Sequence, residues 1–219
     1  MLRPWTALTL MLALAPPAAL AQGAAAPMID GELKTALDAK PDVARGKSAY
    51  EACEGCHRKD GSGRANGTYP RLAGQHVRVM VKQLVDIRSG RRHNPDMAPL
   101  VAEPVLSLQA MADIAAYVQG LPVAANNGKG GGSELALGKQ LYDRDCASCH
   151  GAAGQGDAAT FVPMVAAQHY RYLLRELVHI GDGSRGNSQA EMVKVVKPYS
   201  QAELEAVADH MSRLPPPAP

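Results

Sequence analysis

Laid over itself with an offset of 93 residues, this chain matches along most of its length. Cys53, Cys56 and His57 fall on Cys146, Cys149 and His150, and Pro70 falls on Pro163. The stretch AGQH at 73–76 falls on AAQH at 166–169. Two apolar stripes follow at the same offset. Val77, Met80, Val81 and Leu84 match Tyr170, Leu173, Leu174 and Leu177. Met111, Ile114, Ala115, Val118 and Leu121 match Leu204, Val207, Ala208, Met211 and Leu214. Both stripes recur at the spacing of one helix face, and each second stripe runs into Leu-Pro, which stops a helix. The stripes are ordinary core faces; together they reveal two copies of one helical unit.

The copies span 43–122 and 134–215. Residues 22–42 form an N-terminal extension, 123–133 a linker and 216–219 a tail. The linker stretch AANNGKGGGS has the composition of a flexible connector, and PPPAP closes the chain as an unstructured end. No run alternates apolar and polar residues as a half-buried strand would, so the expected class is all-α, two small helical domains in tandem. Residues 1–21 read as a secretory signal: Arg3, an apolar run at 6–15, and Ala19-Leu20-Ala21 as the cleavage site. The apolar run is too short to cross a bilayer. Export to the periplasm follows, and a retained signal would hold the protein peripherally at the membrane. With 23 basic and 21 acidic residues, charge gives no reason to expect nucleic acid as a partner.

All four cysteines lie in the two C-x-x-C-H motifs. Zinc would need two pairs about 90 residues apart to converge, and gives no role to the histidine behind each pair. A redox disulfide of the thioredoxin kind needs a βαβ setting, and a structural disulfide would close a small strained loop. Covalent haem attachment uses every part. The two thiols add across the haem vinyl groups from one side of a helical turn, and the adjacent histidine reaches the iron. Aromatic residues make up only 4% of the chain, with Trp5 the only Trp and Phe161 the only Phe. A large apolar cofactor would fill the core volume that aromatics usually occupy.

A buried ligating imidazole also needs its second nitrogen held, commonly by a carbonyl. Pro70 and Pro163 each stand 13 residues after the histidine. On these residues the chain resembles a class I cytochrome c duplicated in one polypeptide, and is similar to the cytochrome c-four family of dihaem electron carriers. The resemblance implies two covalently bound haems c, with the Pro70 and Pro163 carbonyls accepting hydrogen bonds from the proximal His57 and His150. It also implies a Met as sixth ligand, from a loop before the last helix. In the first repeat that is Met97, in a proline-rich segment suited to an extended loop, with His93 and His76 as rivals. In the second it is Met192, where the offset slips to 95. Met80, Met111 and Met211 belong to core stripes, and Met164 to the proximal side.

The resemblance further implies an N-terminal helix crossing the C-terminal one at a glycine and aromatics: Gly46, Tyr50 and Tyr117, then Gly138 and Tyr142. His210 departs from this pattern at the place of Tyr117. The spacing from glycine to first cysteine is also one residue longer in the second repeat, which opens the question of how that domain packs. His76 and His169 read as helix-entry residues with satisfied hydrogen bonds. Arg88, Arg91 and Arg92 read as a solvated face.

Two irons with His and Met ligands have no open position, so the expected function is electron carriage rather than catalysis. By resemblance, the donor is a quinol-oxidising complex or periplasmic dehydrogenase and the acceptor a terminal haem–copper oxidase. Two alternatives remain open: the dihaem relay subunit of a periplasmic oxidoreductase such as a sulfide-oxidising flavocytochrome, and a dihaem peroxidase or thiosulfate-oxidising enzyme. Residues 22–122 carry 13 basic and 11 acidic side chains and 123–219 carry 9 and 10, which argues against a strongly charged docking face.

Overall fold

The computed structural model describes residues 31–216, so the expected signal at 1–21 and the end of the tail lie outside the described residues. The first half contains α1 (Gly31–Asp38), α2 (Val43–His57), α3 (Val77–Arg88), α4 (Ala98–Val101) and α5 (Leu108–Gln119). The second contains α6 (Leu135–Leu141), a π-helical turn (Tyr142–Cys146), α7 (Ala147–His150), α8 (Tyr170–Gly181), α9 (Ala190–Val196) and α10 (Gln201–Arg213). Among the described residues the only β pairing is an isolated bridge between Asp157 and Val162. The two apolar stripes of each repeat lie on α3 and α5, and on α8 and α10, and face two separate cores.

In each half the helix that ends in the C-x-x-C-H motif crosses the last helix at a glycine. A Cβ on Gly46 would sit well inside contact distance of the Asp113 carbonyl, and one on Gly138 would do the same to Ala206. Absence of a side chain is what lets these backbones touch. Beside each crossing lies a fully buried tyrosine, and its hydroxyl donates to the backbone just past the motif. Tyr50 reaches the Arg58 carbonyl at 2.9 Å and Tyr142 the Gly151 carbonyl at 2.7 Å. The rings of Tyr50 and Tyr117 are 5.5 Å apart and those of Tyr142 and His210 5.3 Å apart, with nearly equal tilts of 54° and 49°. His210 thus takes the place of Tyr117 without altering the crossing.

The extra residue of the second repeat falls between Tyr142 and Cys146, and that is where the helix widens into its π turn. The Ala147 N–H bonds the Tyr142 carbonyl, five residues back. A π turn absorbs one inserted residue while the helix on either side keeps its direction. Gly138, Tyr142, Cys146 and His150 therefore keep the mutual placement that Gly46, Tyr50, Cys53 and His57 have.

Two segments differ from their composition-based reading. Residues 31–38 of the extension form α1, which packs on α3 and α5 and buries Leu33 and Ala36 in the first core. The linker is fastened rather than free. Asn127 donates to the carbonyls of Gln168 and Ser212, and Asp209 accepts from the Gly130 and Gly132 N–H groups at 3.0 and 2.7 Å. Gly128 exchanges bonds with His169 and Tyr170 and passes too close to the Ala65 carbonyl for any side chain. Gly128 and Gly130 serve close approach and Gly132 a left-handed turn at φ 80°, uses that composition cannot distinguish from flexibility.

Candidate functional site

Each motif occupies the last turns of a helix, so the two cysteines and the histidine share a short stretch of one face. His57 and His150 are 5% and 7% exposed. Their Nδ1 atoms lie 3.0 Å from the Pro70 carbonyl oxygen and 2.9 Å from that of Pro163. A carbonyl only accepts, so Nδ1 carries the proton and the Nε2 lone pair is left available to a metal. Burial pushes both imidazoles below their ordinary pKa, and the proline hydrogen bonds only partly oppose it. They are held neutral, as a ligating imidazole must be.

Burial also pushes the Cys53 thiol up to about 11 and that of Cys146 up to about 12. Redox exchange requires a thiolate, so these values disfavour a disulfide-exchange role. Among the described residues no three His, Cys, Asp or Glu side chains converge to hold a metal ion. A cradle of paired thiols with an oriented, neutral imidazole fits haem c, whose iron needs one strong nitrogen ligand from this side.

Met97 and Met192 are each half-buried against the same apolar cluster as the first cysteine of their own domain. The segment carrying Met97 is not an extended loop: Met97 caps the short helix α4, with its N–H on the Asn94 side chain. Met192 lies inside α9. Arg88 fastens the chain beyond Met97, donating to the carbonyls of Val101 and Leu106 and to Glu103. Its rival His93 is exposed, and Met80, Met111 and Met211 are core residues.

The arginine run is therefore not a solvated face. Arg88 is almost buried against the α4–α5 segment, Arg91 pairs with Asp86, and Arg92 reaches across to the second domain. There a compact polar cluster forms about matched positions. Arg92 donates to Gln83 at 2.8 Å and to Glu176 at 2.9 Å; Arg185 donates to Glu176 at 2.8 Å and to Gln83 at 3.2 Å. Gln83 matches Glu176 and Arg92 matches Arg185 at the repeat offset, so the arrangement is twofold apart from one carboxylate. Burial alone would raise the Glu176 carboxyl, but Arg92, Arg185 and Arg175 bring it below the ordinary range.

His76 and His169 begin α3 and α8 with their hydrogen bonds satisfied, and they also join the domains. His76 Nε2 donates to the Gln155 carbonyl at 2.8 Å and His169 Nε2 to the Ser62 carbonyl at 2.7 Å. The preceding glutamines clamp opposite backbones: Gln75 exchanges two bonds with Met164, and Gln168 two with Arg71. Sequence reasoning missed this surface. Its signal was the block AGQH, repeated with more fidelity than helix entry alone requires.

Comparison with known proteins agrees with this geometry. The family model described as Cytochrome c matches residues 43–122 and again 135–215. The thiosulfate dehydrogenase electron acceptor of Stutzerimonas stutzeri (strain A1501) is 34% identical over 177 residues, covering 76% of this chain and 80% of that protein. Cytochrome c4 of Pseudomonas aeruginosa is 30% identical over 181 residues, covering 79% and 89%. The crystal structure of reduced recombinant cytochrome c4 from Pseudomonas stutzeri superposes with a TM-score of 0.72 at 28% identity, covering 80% of this chain and all of that one. The chain belongs to the cytochrome c family: it is a tandem, cytochrome c4-like electron-transfer protein that carries two covalently bound haems c.

Proposed function

We propose that Cys53 and Cys56 hold one haem with His57 and Met97 as axial ligands, and that Cys146 and Cys149 hold the other with His150 and Met192. The observation that carries this reading is the pair of Nδ1–carbonyl bonds, which aim two buried, neutral imidazoles from equivalent positions. Supporting it, each methionine lies on its own domain's core cluster, while His93 is exposed and His76 is engaged with Gln155. A bound haem supplies a one-electron Fe(III)/Fe(II) couple. The chain's part is to orient the imidazole, keep it neutral, supply a soft sixth ligand and exclude water; His/Met ligation with burial favours a relatively high potential.

In this reading the protein works in the periplasm, between a quinol-oxidising complex or periplasmic dehydrogenase and a terminal haem–copper oxidase. A second donor is favoured by a specific likeness. The similarity to a thiosulfate dehydrogenase electron acceptor supports a thiosulfate-oxidising dehydrogenase as the source of electrons.

Spectra of Met97→Ala and Met192→Ala test the ligands. Each variant should lose one of two methionine–iron charge-transfer bands, and retention of both bands in both variants overturns the assignment. Mixing the oxidised protein with a thiosulfate dehydrogenase and thiosulfate tests the donor. Rapid appearance of the reduced haem spectrum supports it, and no reduction above the rate with thiosulfate alone removes it.

A further inference from the structure

The glutamine clamps touch a particular peptide group. The Pro163 carbonyl, which accepts from His150 Nδ1 at 2.9 Å, belongs to the same peptide as the Met164 N–H. That N–H donates to Gln75 Oε1, 3.0 Å away in the other domain. The mirror case holds in the first domain. His57 Nδ1 donates to the Pro70 carbonyl at 3.0 Å, and the Arg71 N–H of the same peptide donates to Gln168 Oε1 at 2.9 Å. Both glutamines are at least nine-tenths buried, and each also donates its amide to the carbonyl of the residue it clamps.

From this we infer that Gln75 is a positioning residue for the haem of the second domain, and Gln168 for the haem of the first. Each acts on the proximal histidine through one shared peptide. A peptide whose N–H is hydrogen-bonded becomes a better acceptor at its oxygen, because bonds in a chain polarise one another. A stronger acceptor draws the Nδ1 proton, raises the basicity of the ligating nitrogen and stabilises Fe(III). The clamp therefore lowers the potential of the opposite haem, and it makes each domain part of the other's ligand environment. The inference rests on His57 and His150 being axial ligands, as proposed above.

Gln75→Met keeps the side-chain length and removes both polar atoms. In the holoprotein its effect is read by redox titration, with the two haems assigned from the NMR signals of their ligand methionine methyl groups. The one-electron reduction constant of the second haem should rise about threefold, or ~30 mV at 59 mV per tenfold, while the first haem stays put. Gln168→Met should do the reverse. A shift on the variant's own haem, equal shifts on both, or no shift overturns the inference. So does a fall in potential, because water entering a loosened site lowers it. Both methionine–iron bands should be present in wild type and persist in the variants; their absence from the unaltered holoprotein would count against the axial ligands, whereas intact bands with unmoved potentials would count against the relay alone. If neither variant folds, the unaltered holoprotein decides: the Met164 and Arg71 amides should exchange with solvent only on global unfolding. Fast exchange of either amide overturns the inference.

Discussion

His210 stacks against Tyr142 with ring centroids 5.3 Å apart, where the first repeat sets Tyr117 against Tyr50. Partial burial, the largest influence on it, lowers the His210 pKa. A histidine depressed on folding leaves stability intact above its unfolded pKa, near 6.5, and costs stability as pH falls through the folded value. The second domain should therefore lose thermal stability between about pH 7 and pH 5. His210→Tyr should reduce that slope, leaving the part owed to His169, which burial also depresses, and leave the first domain's transition unchanged. Calorimetry across this range checks both statements; a slope that the substitution does not reduce would show that His210 contributes nothing to it.

The helix crossings make a sharper demand. Gly46→Ala and Gly138→Ala each drive a methyl group into a backbone carbonyl, of Asp113 and Ala206, which cannot swing aside. Each should cost about 2–3 kcal/mol, the upper part of the range for overpacking. Urea unfolding should show the loss in the substituted domain and leave the other domain's midpoint unchanged.

In the interdomain cluster Glu176 is the one carboxylate that both Arg92 and Arg185 reach directly, while Asp86 joins through Asn187. Glu176→Gln leaves Arg92 and Arg185 with neutral direct partners only, amides and the Tyr172 hydroxyl, and breaking a buried pair in this way costs about 3 kcal/mol. Because the Glu176 pKa is lowered on folding, its contribution is present above the unfolded value near 4.3 and fades as pH falls through the folded one. Acid titration of wild type should show domain separation below about pH 4 that the variant shows already at neutral pH. Small-angle scattering can follow it.

Leu33 lies in a segment before the family match, yet it is 1% exposed in the first core. Leu33→Ala should destabilise the first domain by about 2–4 kcal/mol and leave the second untouched. Equal unfolding midpoints for variant and wild type would show that α1 is dispensable.

Much of this was legible in the sequence because it is local or periodic. The α3, α5, α8 and α10 stripes, the two C-x-x-C-H turns and the prolines 13 residues downstream are all short-range patterns. Their burial follows from helix period, and the His57–Pro70 and His150–Pro163 bonds from a loop of fixed length. What escaped is long-range. A charged run such as Arg88 to Arg92 looks solvated until Glu176 and the α4–α5 segment are placed beside it. The linker glycines look flexible until Asp209 and Ala65 are seen to press on them. The one-residue mismatch before Cys146 looked like a threat to packing, since sequence does not show that a helix can widen for one turn.

The surface between the domains has a further consequence. Gln75 with His76 and Gln168 with His169 give what Arg71 with Ser62 and Met164 with Gln155 receive, so one repeat carries both halves of the contact. That is the self-complementarity of an isologous dimer. Joining the copies in one chain replaces an encounter between two molecules with an internal one, at an effective concentration in the millimolar range. The two redox centres consequently stay paired however dilute the protein becomes.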